Sequence, residues 1–459
     1  MDRTALIERL QEFIQQEMVR YEVPGVALAL VSREDMLLAT GYGLRDRDAN
    51  LPVTPQTRFR VGSTNKSMTT MLAAVLVDEG VLAWDQRAVS IYPKFQLSDA
   101  ALTQSATIRD LFSMRLGLQD TSFILRCSET IARRLFEFLP EIPVVAAPGE
   151  KFIYHDDLFA AGGLLAAMAT GVPLSEAMDA YMTLMYDRVL MPIGMQQATF
   201  VADLAMACSD ASRSYVRNAV TGMLEPTTYT DIGALLPSGG VAASVTDMAL
   251  YLMTHLNGGT APNGRRVVRS AALQETYTPN MTIQPGVTYG MGWGQLPGGL
   301  IWHNGGLDGF RTDIAFMPEQ NLGIALLANA GSGIFFNQAV LKALTDLLSD
   351  ETPDASSYWH AYQQMLDALA QKPEGDTDMD HTPYLGNYEH YMRLRQQPDG
   401  SLWFSTWGTE SQVLPLAPGT YILGMHGDYV RIQVTDGVLR FYDMQTNEPL
   451  YGGYARLPA

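Results

Sequence analysis

The chain has 459 residues, 47% hydrophobic and 17% charged, with 40 Gly and 24 Pro. That composition can bury a large core, and it excludes low complexity, collagen-like repetition and wholesale disorder. Its 49 acidic against 31 basic residues give a formal charge of −18, which repels phosphate backbones and anionic lipid and argues against nucleic acid or a membrane surface as partner.

The first 20 residues read as an amphipathic helix, with Leu6, Leu10, Phe13 and Glu17 on one stripe and Ile7, Ile14 and Met18 beside it. They hold no apolar core of signal-peptide length. No uncharged apolar run reaches the roughly 18 residues that span a bilayer, so a cytoplasmic location is expected. Cys127 and Cys208 cannot frame a disulfide scaffold in a chain of this size and fit buried thiols in a reducing compartment, with a single bridge left open.

After Pro24-Gly25, the stretches Val26–Ser32 and Met36–Gly43 flank the polar turn Arg33-Glu34-Asp35 as a β-hairpin. From about Ser63 to Leu256 the pattern is mostly helical. One run of small and apolar residues stops at Gly80, and Leu158–Ala169 stops at Gly171 with Pro173 beyond. Strand character returns in Ile301–His303, Arg311–Met317 and Leu322–Ala328, with Pro318-Glu319-Gln320-Asn321 as a turn, and Phe335–Leu348 is helical again. The expected fold is α/β: an antiparallel sheet built from both ends of this region, flanked by helices, with a helical insertion between. That domain is placed at 1–350. Residues 351–382, with Pro353, Asp354, a short helical piece and the acidic Pro373–Asp380, read as a linker. Residues 383–459 carry short strands with Pro398-Asp399-Gly400 and Asp436-Gly437 as turn signals, which predicts a small all-β, barrel-like domain.

Several familiar signatures are missing. There is no phosphate-binding G-x-x-x-x-G-K-[ST] loop, no dinucleotide fingerprint and no G-x-S-x-G elbow. Asp376, Asp378 and Asp380 mimic the start of a calcium loop, but His381 and Asn387 stand where Gly and Glu are needed. The seven histidines show no H-x-x-x-H pair, so neither a metal nor another cofactor is expected.

What stands out is Gly62-Ser63-Thr64-Asn65-Lys66 at the entry of a helix. S-x-x-K sets the lysine one turn after the serine on the same face, within reach of its hydroxyl. Serine is a weak nucleophile until a neighbouring base takes its proton, and a partly desolvated lysine can do so. Taken alone, Ser63 could equally be a helix cap. Two further elements follow in order: Tyr154-His155-Asp156 on a loop before a helix, and Trp302-His303-Asn304-Gly305-Gly306 at a strand end.

These three elements resemble the penicillin-recognising serine hydrolases, and more closely the class C β-lactamase, D-aminopeptidase and β-lactamase-like esterase branch. Val23-Pro24-Gly25-Val26, Thr107–Leu111, Met191–Met195 and Pro237-Ser238-Gly239-Gly240 look like the same family, and the resemblance covers roughly residues 5–345. Some relatives carry a lipocalin-like domain, which the tail after Pro383 resembles. The resemblance implies Ser63 as the acylated nucleophile, Lys66 as its partner and Tyr154 as the proton shuttle. It puts His303 in the place of the usual lysine, the N–H groups of Ser63 and Gly306 at the oxyanion, and Asp156, Asn304 and Gly305 against the substrate. Two positions depart from the family. Asp156 brings a carboxylate where a neutral amide is usual, favouring the ammonium form of a nearby Lys66. His303 is expected as a weaker, pH-dependent cation with an ordinary pKa of about 6.5, which tilts the substrate toward small esters or amides without an obligatory carboxylate. D-amino-acid peptides and β-lactams are the alternative, a non-catalytic sensor is a third reading, and a homo-oligomer is compatible with the sequence.

Overall fold

The computed structural model describes residues 3–120, 132–200, 209–218, 221–229, 231–370, 379–388, 392–406, 409–425, 428–443 and 453–458. Cys127, Cys208, Asp376 and Asp378 lie outside the described residues.

The expected α/β architecture is the one the chain adopts. Its centre is a nine-stranded antiparallel sheet drawn from both ends of the first domain. The strands are β1 (Gly25–Val31), β2 (Met36–Asp46), β3 (Leu51–Pro52), β4 (Met281–Gln284), β5 (Val287–Tyr289), β6 (Gly294–Leu296), β7 (Leu300–Leu307), β8 (Phe310–Met317) and β9 (Leu322–Ala328). Their order is β3-β2-β1-β9-β8-β7-β6-β5-β4, so the hairpin near the N-terminus meets β9 at the middle of the sheet. Every residue of β1 is buried because both faces are covered. Val26, Leu28 and Leu30 face one core cluster, whereas Ala27, Ala29 and Val31 face the other.

The first face is covered by α1 (Arg3–Arg20) and, late in the chain, by Gly333–Leu348. The second carries the helical insertion. Its central helix, α2 (Asn65–Asp78), is buried on every side from Asn65 to Leu76, and so is α3 (Asp156–Met168). A helix without a polar face needs protein all round it, and Gly162 and Gly163 of α3 let Phe112 and Pro237 pack directly on its backbone. The helix α4 (Val245–Leu256) is capped by Ser244 and Asp247 in a reciprocal capping box and packs against β9 and β1.

A helix stands where the sequence reading placed a short helical piece within residues 351–382. This helix, α6 (Ser356–Ala370), packs on α5 (Gly333–Leu348). Tyr362 is buried, with its ring 5.5 Å from Tyr21 and 5.6 Å from Phe335, and the Arg20 guanidinium lies 4.3 Å over Trp359.

Beyond α6, eight strands follow one another in an antiparallel meander from Gly386–Tyr388 to Tyr454–Ala455. Tyr388 bridges to Arg456, and Leu457 N–H donates to Asn387 at 2.8 Å, so the first and last strands meet and the barrel is nearly closed. Asp436 and Gly437 both take positive φ, as a tight hairpin turn requires.

Candidate active site

Ser63 sits in a single 3₁₀ turn, Gly62–Thr64, that runs into α2. The turn is held from three directions. Val61 N–H donates to Val241 at 3.0 Å, while the Val61 carbonyl accepts from Thr64 at 2.9 Å and from Thr312 of β8 at 2.6 Å. Gly62 has φ +54, and a side chain there would meet the Gly306 nitrogen at 2.8 Å. The start of α2 is bolted to the segment 236–239. Asn65 donates to the carbonyls of Leu236 and Pro237 at 3.0 and 3.2 Å, and Thr69 donates to Pro237 at 2.6 Å.

Lys66, fully buried, points its ammonium at three acceptors. Ser63 Oγ is 3.2 Å away and the Ser238 carbonyl 3.1 Å, and Asp156 Oδ1 forms a buried ion pair with the same Nζ. The Tyr154 ring lies 4.8 Å from Nζ, centroid to nitrogen. Asp156 is the first residue of α3, where the helix N-terminus favours its negative charge. Ser238 Oγ donates to the Asp156 carbonyl at 2.7 Å and locks the two segments together. Four of the expected residues, Ser63, Lys66, Tyr154 and Asp156, thus converge.

His303 is close by, its ring 6.5 Å from that of Tyr154, but its chemistry differs from the expectation. The Asn304 carbonyl, 2.5 Å from Nδ1, can only accept, so Nδ1 carries the proton and Nε2 accepts from the Tyr289 hydroxyl at 3.2 Å. Burial, reinforced by the positive charge of Lys66, pushes the imidazole from 6.5 down to about 3. His303 is therefore neutral at physiological pH and does not replace a lysine cation. Tyr289, which the sequence reading did not single out, is held by burial well above its ordinary value and serves as the donor that completes this arrangement.

The glycine pair divides its work between the two faces of β7. A Cβ on Gly305 would lie 2.1 Å from the Val61 carbonyl, so that face is filled by the loop that carries Ser63. A Cβ on Gly306 would strike the Arg311 guanidinium at 2.2 Å. Gly306 does line the cleft beside Ser63. Asn304 pairs directly with Asp313 in the β7–β8 ladder, and directly opposed residues share a face. Asp313 accepts from Trp302 and from Asn337 and Gln338 of α5, so the Asn304 side chain lies on the face turned away from Ser63. Burial pushes Asp313 up to about 7 despite these donors.

An open cleft lies over Gly62, Ser63, Asp156, Ser238 and Gly306, with Ile232, Leu235 and Leu307 beyond. Among the described residues no group of three or more His, Cys, Asp or Glu side chains is arranged to hold a metal ion, and no helix is long and apolar enough to cross a membrane.

A serine and lysine one turn apart at the mouth of a buried helix, against the last residues of β7 in an antiparallel sheet, is the arrangement of a penicillin-recognising serine hydrolase. The family model described as Beta-lactamase matches residues 10–349, and the chain belongs to that family. Among sequence relatives, Unguisins hydrolase ungD' of Aspergillus campestris is 25% identical over 411 residues, covering 83% of this chain and 75% of that protein. Penicillin-binding protein 4 of Amycolatopsis lactamdurans is 24% identical over 397 residues, covering 83% of this chain and 96% of that one. In structure, the octameric penicillin-binding protein homologue from Pyrococcus abyssi superposes with a TM-score of 0.64 at 20% identity, over 98% of this chain and 99% of that chain.

Proposed function

We propose that this protein is a serine hydrolase that works through an acyl-enzyme on small esters or amides. The observation that carries this reading is the contact of Lys66 Nζ with Ser63 Oγ at 3.2 Å, at the floor of an open cleft. As Oγ bonds to the substrate carbonyl carbon, the Lys66 amine takes its proton. The N–H groups of Ser63 and Gly306 face the developing oxyanion. Tyr154, next to Lys66, returns a proton to the leaving group and later takes one from the water that releases the acyl group. The neutral His303 favours substrates without an obligatory carboxylate, because no cation stands at the position where such a group would be held.

Acylation by β-lactams is the second reading, favoured by the relative named a penicillin-binding protein, which this chain matches over nearly its whole length. The test is intact-mass detection of a fluorophosphonate adduct on wild type and Ser63→Ala, followed by rates on p-nitrophenyl esters, D-amino-acid anilides and a penicillin. Ser63→Ala is expected to lose the adduct and to lower kcat by roughly 10³–10⁶-fold while keeping its fold. Turnover that survives the substitution would exclude Ser63 as nucleophile.

A further inference from the structure

Asp313 of β8 is a carboxylate shut away from water, 2% exposed, and held by neutral donors. Oδ1 accepts from Trp302 Nε1 at 2.6 Å and from Gln338 Nε2 at 2.9 Å, while Oδ2 accepts from Asn337 Nδ2 at 3.0 Å. Among the described residues no cation forms an ion pair with it; Arg311, two residues back on the same strand, acts on it less than any of the three donors. From α6, Tyr358 bears on it as a neutral phenol, held above its ordinary value chiefly by burial. On α5, Lys342 is one turn past Gln338 and is paired with Asp346. Among the described residues β7 and β9 bring no titratable side chain to this face: β7 contributes Trp302 and Asn304, and β9 is apolar throughout.

A second observation lies on the donor side. Asn337 is completely buried, and only one end of its amide is used: Nδ2 donates to Asp313, whereas Oδ1 has no hydrogen-bond partner. A buried acceptor left unpaired is costly. A half-turn of this amide exchanges its two ends and brings Oδ1 to the place of Nδ2. That arrangement suits a carboxyl group that carries a proton on Oδ2, because the O–H then donates to Asn337 Oδ1. Trp302 and Gln338 keep their bonds to the other oxygen. The proton belongs on Oδ2 rather than Oδ1, since Oδ1 already serves two donors and one of them, the Trp302 indole, can only donate. The two arrangements differ by one proton taken from solvent, by the charge of Asp313 and by the end of the amide that meets it.

We infer that Asp313 and Asn337 form a proton-operated latch between α5 and the strand pair β7–β8, in which one proton bound at Asp313 Oδ2 turns the Asn337 amide over. Burial, which raises Asp313 to about 7, brings the change into the neutral range. The latch adjoins the candidate site without being part of it. Trp302 immediately precedes His303, and their rings stack at 21° with 6.4 Å between centroids. Asp313 itself pairs with Asn304 in the ladder. The proton state of Asp313 is therefore felt on the strand that borders Ser63, and it is so whether or not Ser63 acts as a nucleophile.

The experiment titrates the full chain by proton–nitrogen correlation spectra from about pH 5 to about pH 9. It reads the Trp302 indole N–H and the Asn337 side-chain amide, assigned with Trp302→Phe and Asn337→Ser. In wild type both are expected to move together with a midpoint of about 7. In Asp313→Asn, whose amide imitates the neutral carboxyl group, the Asn337 signals are expected to stay near the low-pH limit of wild type at every pH. Stability is the second readout. The folded carboxyl holds its proton more tightly than the unfolded one, so wild type should lose stability relative to Asp313→Asn as pH rises. The loss should approach tenfold in the folding equilibrium constant per pH unit between about pH 5 and 6.5 and stop above about 7. Signals that stay fixed through the titration, or a stability difference without pH dependence, would overturn the proton site. A Trp302 signal that titrates beside an unmoved Asn337 amide would overturn the latch. If Asp313→Asn does not fold, the wild-type titration decides by itself.

Discussion

Two buried ion pairs flank the same cleft, Lys66–Asp156 at Ser63 and Arg60–Asp308 behind the aliphatic wall. Their burial is nearly identical: side-chain exposure is 0% and 8% for the first pair, 5% and 1% for the second. What separates them is the cation and its third contact. Arg60 keeps its proton at any working pH; burial lowers its affinity for that proton, and Asp308 opposes the effect. Beyond Asp308, the charges that bear on it are those of Tyr229 and Asp231, on the segment that forms the far wall. Lys66 can shed a proton, and its third contact is a serine hydroxyl. Under the proposed function, the same electrostatic motif serves structure where the proton is fixed and chemistry where it can leave.

The comparison breaks most visibly at Lys66. Lys66→Met is expected to lower kcat by roughly 10²–10⁴-fold, the usual share of a positioned acid–base group. Asp156, at the edge of the cleft, can take up a proton once its partner is gone, so the loss of stability should be small. Arg60→Met should do the reverse. Removing one partner of a buried pair leaves an uncompensated charge and costs about 3–5 kcal/mol, read as a shift of the urea midpoint. The rate of phosphonate labelling at Ser63 should stay within about twofold of wild type. If Arg60→Met abolished labelling and left the midpoint unchanged, the division of roles between the pairs would be wrong.

A third buried ionisable group sharpens the contrast, because it has no counter-charge to hold it. Both ring nitrogens of His255 are without hydrogen-bond partners, and the ring is boxed by Tyr251, Trp293 and Phe316 at centroid distances of 4.7, 5.0 and 5.0 Å. Burial alone pushes it from 6.5 down to about 3. Its folded value lies below its unfolded one, so its contribution to stability is complete above about pH 6.5. It is lost as pH falls toward 3, because the unfolded chain takes up the proton first. Between pH 6 and 4, the stability difference between His255→Phe and wild type should therefore move in favour of the variant by about 1.4 kcal/mol per pH unit. Measuring the difference removes the opposing contribution of Asp313. A pH-independent difference would mean that the imidazole is protonated in place.

How much of this could be read from the chain depends on the range of the interaction. The Ser63–Lys66 contact is local, one helical turn, and S-x-x-K declares it. The hairpin of Val26–Ser32 and Met36–Gly43 and the strands at 311–328 are legible because apolar runs and turn residues are local too. The three short strands at 281–296 were not expected, since their residues are mixed in polarity and their pairing depends on β7. The state of His303 depends on Tyr289 and on Lys66, and neither the burial nor the tautomer is written near residue 303. Asn304 is a different kind of miss. Counting by two along Leu300–Leu307 already separates His303 and Gly305 from Trp302 and Asn304; reading Asn304 as part of a motif hid that alternation.

The smallest expected effect concerns Asp156. Its carboxylate contacts the Lys66 ammonium in a site with little water, and an opposite charge at that range favours the protonated lysine. Under the proposed function, the amine that accepts the Ser63 proton then becomes available only at higher pH. Asp156→Asn keeps the size of the side chain and its place at the start of α3 but removes the charge. The acidic limb of kcat/KM, which reports the essential base of the free enzyme, should move to lower pH by about one unit, or about 1.4 kcal/mol. His303 does not obscure the measurement, because its nitrogens are engaged by Asn304 and Tyr289 and its titration falls to about 3. Arg60 supplies the control: Asp308→Asn removes the corresponding charge from a cation that does not titrate, so it should lower stability and leave the limb where it is. A limb that stays fixed in Asp156→Asn as well would show that the carboxylate does not govern the proton on Lys66, and the two ion pairs would then be structural alike.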